Sequence, residues 1–247
     1  MNLLSHFVCA AHFPPEARLG SGLPDLLPLF NRELRIHPLA DHWRKQTQLD
    51  APMLALLEGI RYHQYVDAKF HPHSLFRRFS AALKGVLRGA GGGEGMRYFF
   101  AAHILTEIYF DHLLMGLDTQ LTADFYRQFS PQAIDLLVRF AQAHPSVEGP
   151  ALRRFLEDVP VTRFLERYST AEGMLKSANN VLRMMSQRRM TQGEEQAVMA
   201  HLASRHHHNP HALLAFIAAM QAAPGFQGVA TPVTLNSPSV TGHPQAS

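Results

Sequence analysis

The chain has a single cysteine, Cys9, which excludes an internal disulfide framework and any thiolate-based zinc cluster. It has no apolar run near the ~18 residues that a membrane-spanning helix needs. Strand-like alternation of apolar and polar residues is nearly absent. A charge excess of one sign is also missing: 23 Lys and Arg against 20 Asp and Glu leave a formal net charge of +3. That balance argues against a general nucleic-acid binder. The opening MNLLSHFVCAAHF has no basic stretch ahead of its apolar residues, and His6 and His12 interrupt them. It reads as the buried first helix of a cytoplasmic protein rather than as a secretion signal.

What remains is apolar and periodic. Of 247 residues, 46% are hydrophobic and 17% charged, enough to bury a sizeable core. Apolar residues recur at spacings of three and four between Pro and Gly breaks, which predicts an all-α, single compact multi-helix domain over residues 1–224. Residues 225–247, rich in Ser, Thr and Pro without a period, read as a disordered tail. Asn2 is placed to cap a helix running to about His12. Asp50, with Pro52 in the first turn, is placed to cap a long helix that Pro72 ends. Further helices are expected over SLFRRFSAALKGVLR, from Met96 to about Leu114, and from Ser130-Pro131. Ser21 to Asn31 reads as short helical turns only, because Pro24 and Pro28 interrupt it. The stretch Gly89 to Gly95 holds five glycines and reads as a loop.

Sixteen histidines are the unusual feature of the composition. His63 and Asp67 stand at i and i+4, hence on one helix face. His103, Glu107 and Asp111 repeat that spacing on the most apolar predicted helix, and His112 follows. A carboxylate on such a helix has to be paired, hydrogen-bonded or metal-bound, since burying it alone costs several kcal/mol. Imidazole plus carboxylate without thiolate suits manganese, iron, nickel or zinc. From spacing alone, the plainer reading is a helix pair holding structural His–Asp salt bridges. His71 and His73 flank Pro72 at a helix end. The run His206 to His208 reads as an exposed polar turn. The arginine pairs Arg77/Arg78, Arg153/Arg154 and Arg188/Arg189 read as solvated faces, with guanidinium groups that also suit phosphate.

A series of ordered segments carries a resemblance to a known family. MNLLSHF places Asn2 and His6 in an Asn-to-His opening. GSGLPD resembles a Gly-Asn-x-x-x-Asp segment and places Asp25 on its acidic position. GIRYHQYVD resembles Gly-Ile-x-x-His-Arg-x-Ile-Asp through His63 and Asp67. EIYFDHLL resembles Asp-x-x-x-Asp-His-(Phe/Leu)-Leu through Asp111 and His112, with Glu107 in place of an Asp. MSQRR is similar to a closing Met-x-x-Arg-Arg. Together these segments resemble the acyl carrier protein phosphodiesterases, relatives of the HD-domain metal-dependent phosphohydrolases, over roughly residues 1–190. The chain departs from the pattern at Ser21, at Gln64 and at Phe70-His71, where the family carries Asn, Arg and Thr-Asp.

The resemblance implies an HD-like helical fold in lipid metabolism and metal-dependent hydrolysis that removes 4'-phosphopantetheine from a serine of holo-acyl carrier protein. The implied cofactor is a divalent metal, manganese first, with iron or magnesium as alternatives. On this reading His6, Asp25, His63, Asp67, Asp111 and His112 hold the metal. Glu107 or Asp67 takes a proton from water, and His112 or His73 protonates the leaving group. Arg77, Arg78, His73 and Arg188 hold phosphate or the acidic carrier protein, whose approach a basic rim steers. Acyl carrier protein is then the partner, with no nucleic acid and no membrane span. Two other readings stay open: a phosphohydrolase of another small phosphoester or nucleotide, and a non-catalytic helical binding protein.

Overall fold

The computed structural model describes residues 2–91, 98–185, 187–204 and 210–223. Among these residues the chain is helical with no strand. The helices are α1 (Leu3–Cys9), α2 (Pro15–Phe30), α3 (Ile36–Arg44), α4 (Ala51–Phe70), α5 (Ser74–Gly89) and α6 (Tyr98–Leu117). They continue with α7 (Leu121–Tyr126), α8 (Pro131–Ala141), α9 (Gly149–Thr162), a 3-10 turn (Phe164–Ser169), α10 (Ala171–Met184), α11 (Gln192–Ala203) and α12 (His211–Gln221). None is long and apolar enough to cross a membrane. Of the loop expected over Gly89 to Gly95, Gly89 is the last residue of α5 and Gly91 takes a positive φ of 92°, whereas Gly92 to Gly95, the histidine run from His206 to His208 and the tail over 225–247 lie outside the described residues.

Helix α1 is enclosed on every side, by α2, α4, α6, α7 and α12, and all seven of its residues are buried. Asn2 takes the capping position, but its side chain points away and donates to the Tyr168 hydroxyl (3.3 Å). The cap comes from α6 instead. Asp111 Oδ1 accepts from the Ser5 amide (2.8 Å) and the Ser5 hydroxyl (2.6 Å), and Oδ2 accepts from the Leu4 amide (3.1 Å). At the other end the Tyr62 hydroxyl donates to the Cys9 carbonyl (3.0 Å) and Gln221 donates to the Val8 carbonyl (2.8 Å). Side chains from α4, α6 and α12 thus satisfy the backbone groups that a short buried helix leaves open.

Helix α4 begins as its sequence indicates, with Asp50 accepting from the Met53 amide (3.0 Å). Helix α2 differs from expectation: Pro24 and Pro28 lie inside one continuous helix of 16 residues. The two rings stand four residues apart on a face that lines a cleft, while Leu19, Leu23, Leu26 and Leu27 are buried on the other side. The missing N–H groups and the ring crowding therefore fall away from the core, where packing against α4 outweighs the local helix-breaking preference.

The α2–α4 crossing is the most extensive helix pair in the fold. Glycines make it close. A Cβ on Gly20 would fall on the Leu56 carbonyl oxygen, and a Cβ on Gly59 would fall on the backbone of Ala17. Gly59→Ala must therefore push the two helices apart, because backbone cannot rotate away as a side chain can. The expected cost is about 1–3 kcal/mol, read as a lower urea midpoint without loss of helical circular dichroism in the folded baseline.

Candidate functional site

Three helices, α1, α2 and α4, meet at the candidate site. His6 comes from α1, Ser21 and Asp25 from α2, and His63 and Asp67 from α4. The His6 and His63 rings stack with centroids 3.8 Å apart. His6 Nε2 lies 3.2 Å from Asp67 Oδ1 and 4.0 Å from Asp25 Oδ2, and His63 Nε2 lies 3.5 Å from Asp67 Oδ2. His63 Nδ1 is 2.8 Å from the Ser21 carbonyl, which fixes the proton on Nδ1 and leaves Nε2 as a lone pair facing Asp67. Donor atoms of His6, His63 and Asp67 all lie within 4.8 Å of one another.

Burial governs the charges here. It lowers the pKa of His6, and it lowers that of His63 further, the neighbouring His6 adding to the effect. Both rings are thereby held in the neutral form that binds metal. Burial opposes charge at Asp67 as well, but nearby positive charge and the hydrogen bond with His6 outweigh it and hold this carboxyl well below the usual range. At Asp25 burial outweighs nearby positive charge, with Glu107 and Asp67 adding to it, and raises the pKa well above the ordinary value. His6 Nδ1 and Asp25 Oδ2 are buried without a hydrogen-bond partner among the described residues. Such atoms are costly unless something else satisfies them. Two imidazoles and two carboxylates around those orphaned atoms form a donor set that fits a divalent transition metal.

Asp25 also opens onto a cleft of about 530 Å³. Pro24, Pro28, Leu29, Ile108, Val181 and Met184 form its apolar wall, with Glu107 on one side and Arg32 and Arg35 on another. Arg32 donates to the Met184 carbonyl (3.3 Å) across one end.

A family model described as acyl carrier protein phosphodiesterase matches residues 1–220. The chain belongs to this family. It is therefore grouped with hydrolases of the acyl carrier protein phosphodiesterase type, and the match reaches beyond the motif segments into α12. No curated protein and no solved structure matches the chain.

The structure gathers His6, Asp25, His63 and Asp67; Glu107 shares the cleft with Asp25, and the other nominated residues lie elsewhere. The Asp111 oxygens face Leu4 and Ser5 of α1, where burial raises its pKa to about 7 against the pull of those donors. His112 Nδ1 is 2.7 Å from the Tyr168 carbonyl, and the ring borders a separate pocket with Met115, Thr122 and Ser169. Glu107 Oε1 meets His71 and His103. His73 caps α5 by accepting from the Leu75 amide (3.3 Å) and lies against Phe216 rather than turning back to Asp67. Arg77 and Arg78 are exposed on α5, away from the cleft lining. Arg188 is engaged by the buried Glu194, with both guanidinium nitrogens 2.8 Å from its oxygens. Sequence reasoning passed over Arg32 and Arg35, whose only signal was two arginines in the NRELR linker after an acidic motif. It also passed over His71 as a partner for Glu107.

Two outcomes follow from these placements. Asp111→Asn keeps one acceptor for Ser5 and loses the carboxylate, so it should destabilise the fold by roughly 1–3 kcal/mol while metal content by mass spectrometry stays near parental. A loss of metal as complete as that caused by replacing His63 would instead make Asp111 a ligand. Arg188 holds the Glu194 pKa below its ordinary value. The stability from this pair is complete above the ordinary glutamate pKa and is lost as pH falls through the depressed one. Glu194→Gln should flatten that acid limb in urea unfolding measured between pH 6 and pH 3.

Proposed function

We propose that the chain removes 4'-phosphopantetheine from the serine of holo-acyl carrier protein, with His6, His63, Asp67 and Asp25 holding a divalent metal, manganese or iron. The observation that carries the reading is the convergence of His6 and His63, from helices more than fifty positions apart in the chain, on the single carboxylate of Asp67 beside a cleft. A divalent ion held there supplies Lewis acidity toward the phosphodiester and eases deprotonation of water near neutral pH.

The chain's own residues do the rest. The Ser21 carbonyl fixes the His63 tautomer, and the stack with His6 fixes the ring plane. Asp67, ionised across the working pH range, supplies the negative charge that two neutral imidazoles lack. Asp25 stands at the boundary between this cluster and the cleft, so a phosphodiester in the cleft lies beside the metal ligands. The apolar wall from Pro24 to Met184 suits the dimethyl and methylene portions of the pantetheine arm. Arg32 and Arg35 at the rim suit the phosphate and the acidic surface of a carrier protein.

The test is direct. Holo-acyl carrier protein incubated with the manganese-loaded chain should lose the mass of its prosthetic group by intact-mass spectrometry. His63→Ala should abolish that loss and lower the bound manganese, with helical circular dichroism unchanged. Retained mass with the parental chain under manganese and under iron would overturn the proposal.

A further inference from the structure

A second group of donors lies outside the His6–His63–Asp67 cluster. His71 sits at the C-terminal end of α4, and His103 and Glu107 stand one turn apart on α6. His71 Nε2 is 3.1 Å and His103 Nε2 is 3.0 Å from the same oxygen, Glu107 Oε1. Donor atoms of all three lie within 4.8 Å of one another.

We infer that His71, His103 and Glu107 form a separate site for a divalent transition-metal ion. Ligand bonds of about 2.0–2.2 Å to imidazole nitrogen and carboxylate oxygen place neighbouring donors roughly 3–3.5 Å apart in tetrahedral or octahedral geometry. The two measured nitrogen–oxygen separations fall in that range. Two imidazoles and one carboxylate form a set typical of zinc, cobalt, iron and manganese sites that keep open positions. The openness is visible: the His71 and His103 side chains are 34% and 32% exposed and Glu107 is 18% exposed, so water can complete the coordination. Phe76 packs against both rings, with centroids 5.0 Å from His71 and 4.9 Å from His103. That wedge holds both Nε2 atoms toward one point. Glu107 and Asp25 line the same cleft, so the two sites flank it from different helices. None of the three residues belongs to the first cluster, and the inference does not rest on the proposed reaction.

The experiment uses the full chain, stripped with chelator and titrated with cobalt(II). Stoichiometry comes from equilibrium dialysis and coordination from the visible d–d absorption. His71→Gln and His103→Asn should each bind one equivalent fewer than the parent, or bind it more than about 100-fold more weakly, since even outer-shell partners of a metal are worth 10–100-fold. His63→Gln should keep that equivalent. Background uptake by the His206–His208 run is common to every variant and cancels in the difference. Both substituted rings are partly exposed, and an unchanged helical spectrum verifies that each variant is folded. Equal stoichiometry and affinity in the parent, His71→Gln and His103→Asn would overturn the site and leave a hydrogen-bonded trio. Loss of the equivalent in His63→Gln alone would overturn it too, while sparing the first cluster. Loss in the His71 and His103 variants with none in His63→Gln would uphold it and remove the metal from the first.

Discussion

The place of His6 in the candidate site depends on a seven-residue helix that could not persist by itself. Helix α1 is well below the ~12–15 residues at which an isolated helix becomes even marginal in water. Its place is dictated by its neighbours. The Asp111 carboxylate holds the first amides, Tyr62 and Gln221 hold the last carbonyls, and the apolar remainder packs all round. His6 is carried on this clamped segment, and its position relative to His63 is as exact as the clamp. A carboxylate on the apolar α6 helix thus acts on the site through the backbone of another helix.

The glycine crossing of α2 and α4 supplies the second coordinate. With Cβ atoms absent at Gly20 and Gly59, the helices approach until the Ser21 carbonyl meets His63 Nδ1. The same approach brings Asp25 toward His6 and buries its Oδ2. The geometry and the electrostatics then have one cause. Tight packing excludes water, and exclusion of water keeps the imidazoles neutral and raises the pKa of Asp25.

The helical class and the strong α4 boundary were legible because they rest on local signals: spacing of apolar residues, and Asp50 followed by Pro52. The His63–Asp67 face was legible for the same reason, being one turn of one helix. His6 and Asp25 were found through the family pattern and not through any local chemistry. The continuity of α2 through Pro24 and Pro28 was not legible, because the packing that overrides two prolines lies on α4. At Asp111 the spacing showed that an acid needed an ion-pair, hydrogen-bond or metal partner; only the fold shows which donors face it. His71 and Glu107 each depart from the family pattern, and taken singly each looks like a loss. In the structure the two departures touch, and a histidine one turn before Glu107 joins them.

The contact between Gln221 and the Val8 carbonyl spans 213 positions of the chain. During synthesis on the ribosome, residues 3–9 leave the exit tunnel long before α6 or α12 exists, so neither the Asp111 clamp nor the Gln221 clasp can form early. Until then a stretch of Leu, Phe and Val stays uncovered on the nascent polypeptide, the kind of surface that holdase chaperones protect. Assembly of the His6 region is therefore among the last events of folding, and the large sequence separation of its contacts sets a slow pace for a chain whose described residues form helices and no strand.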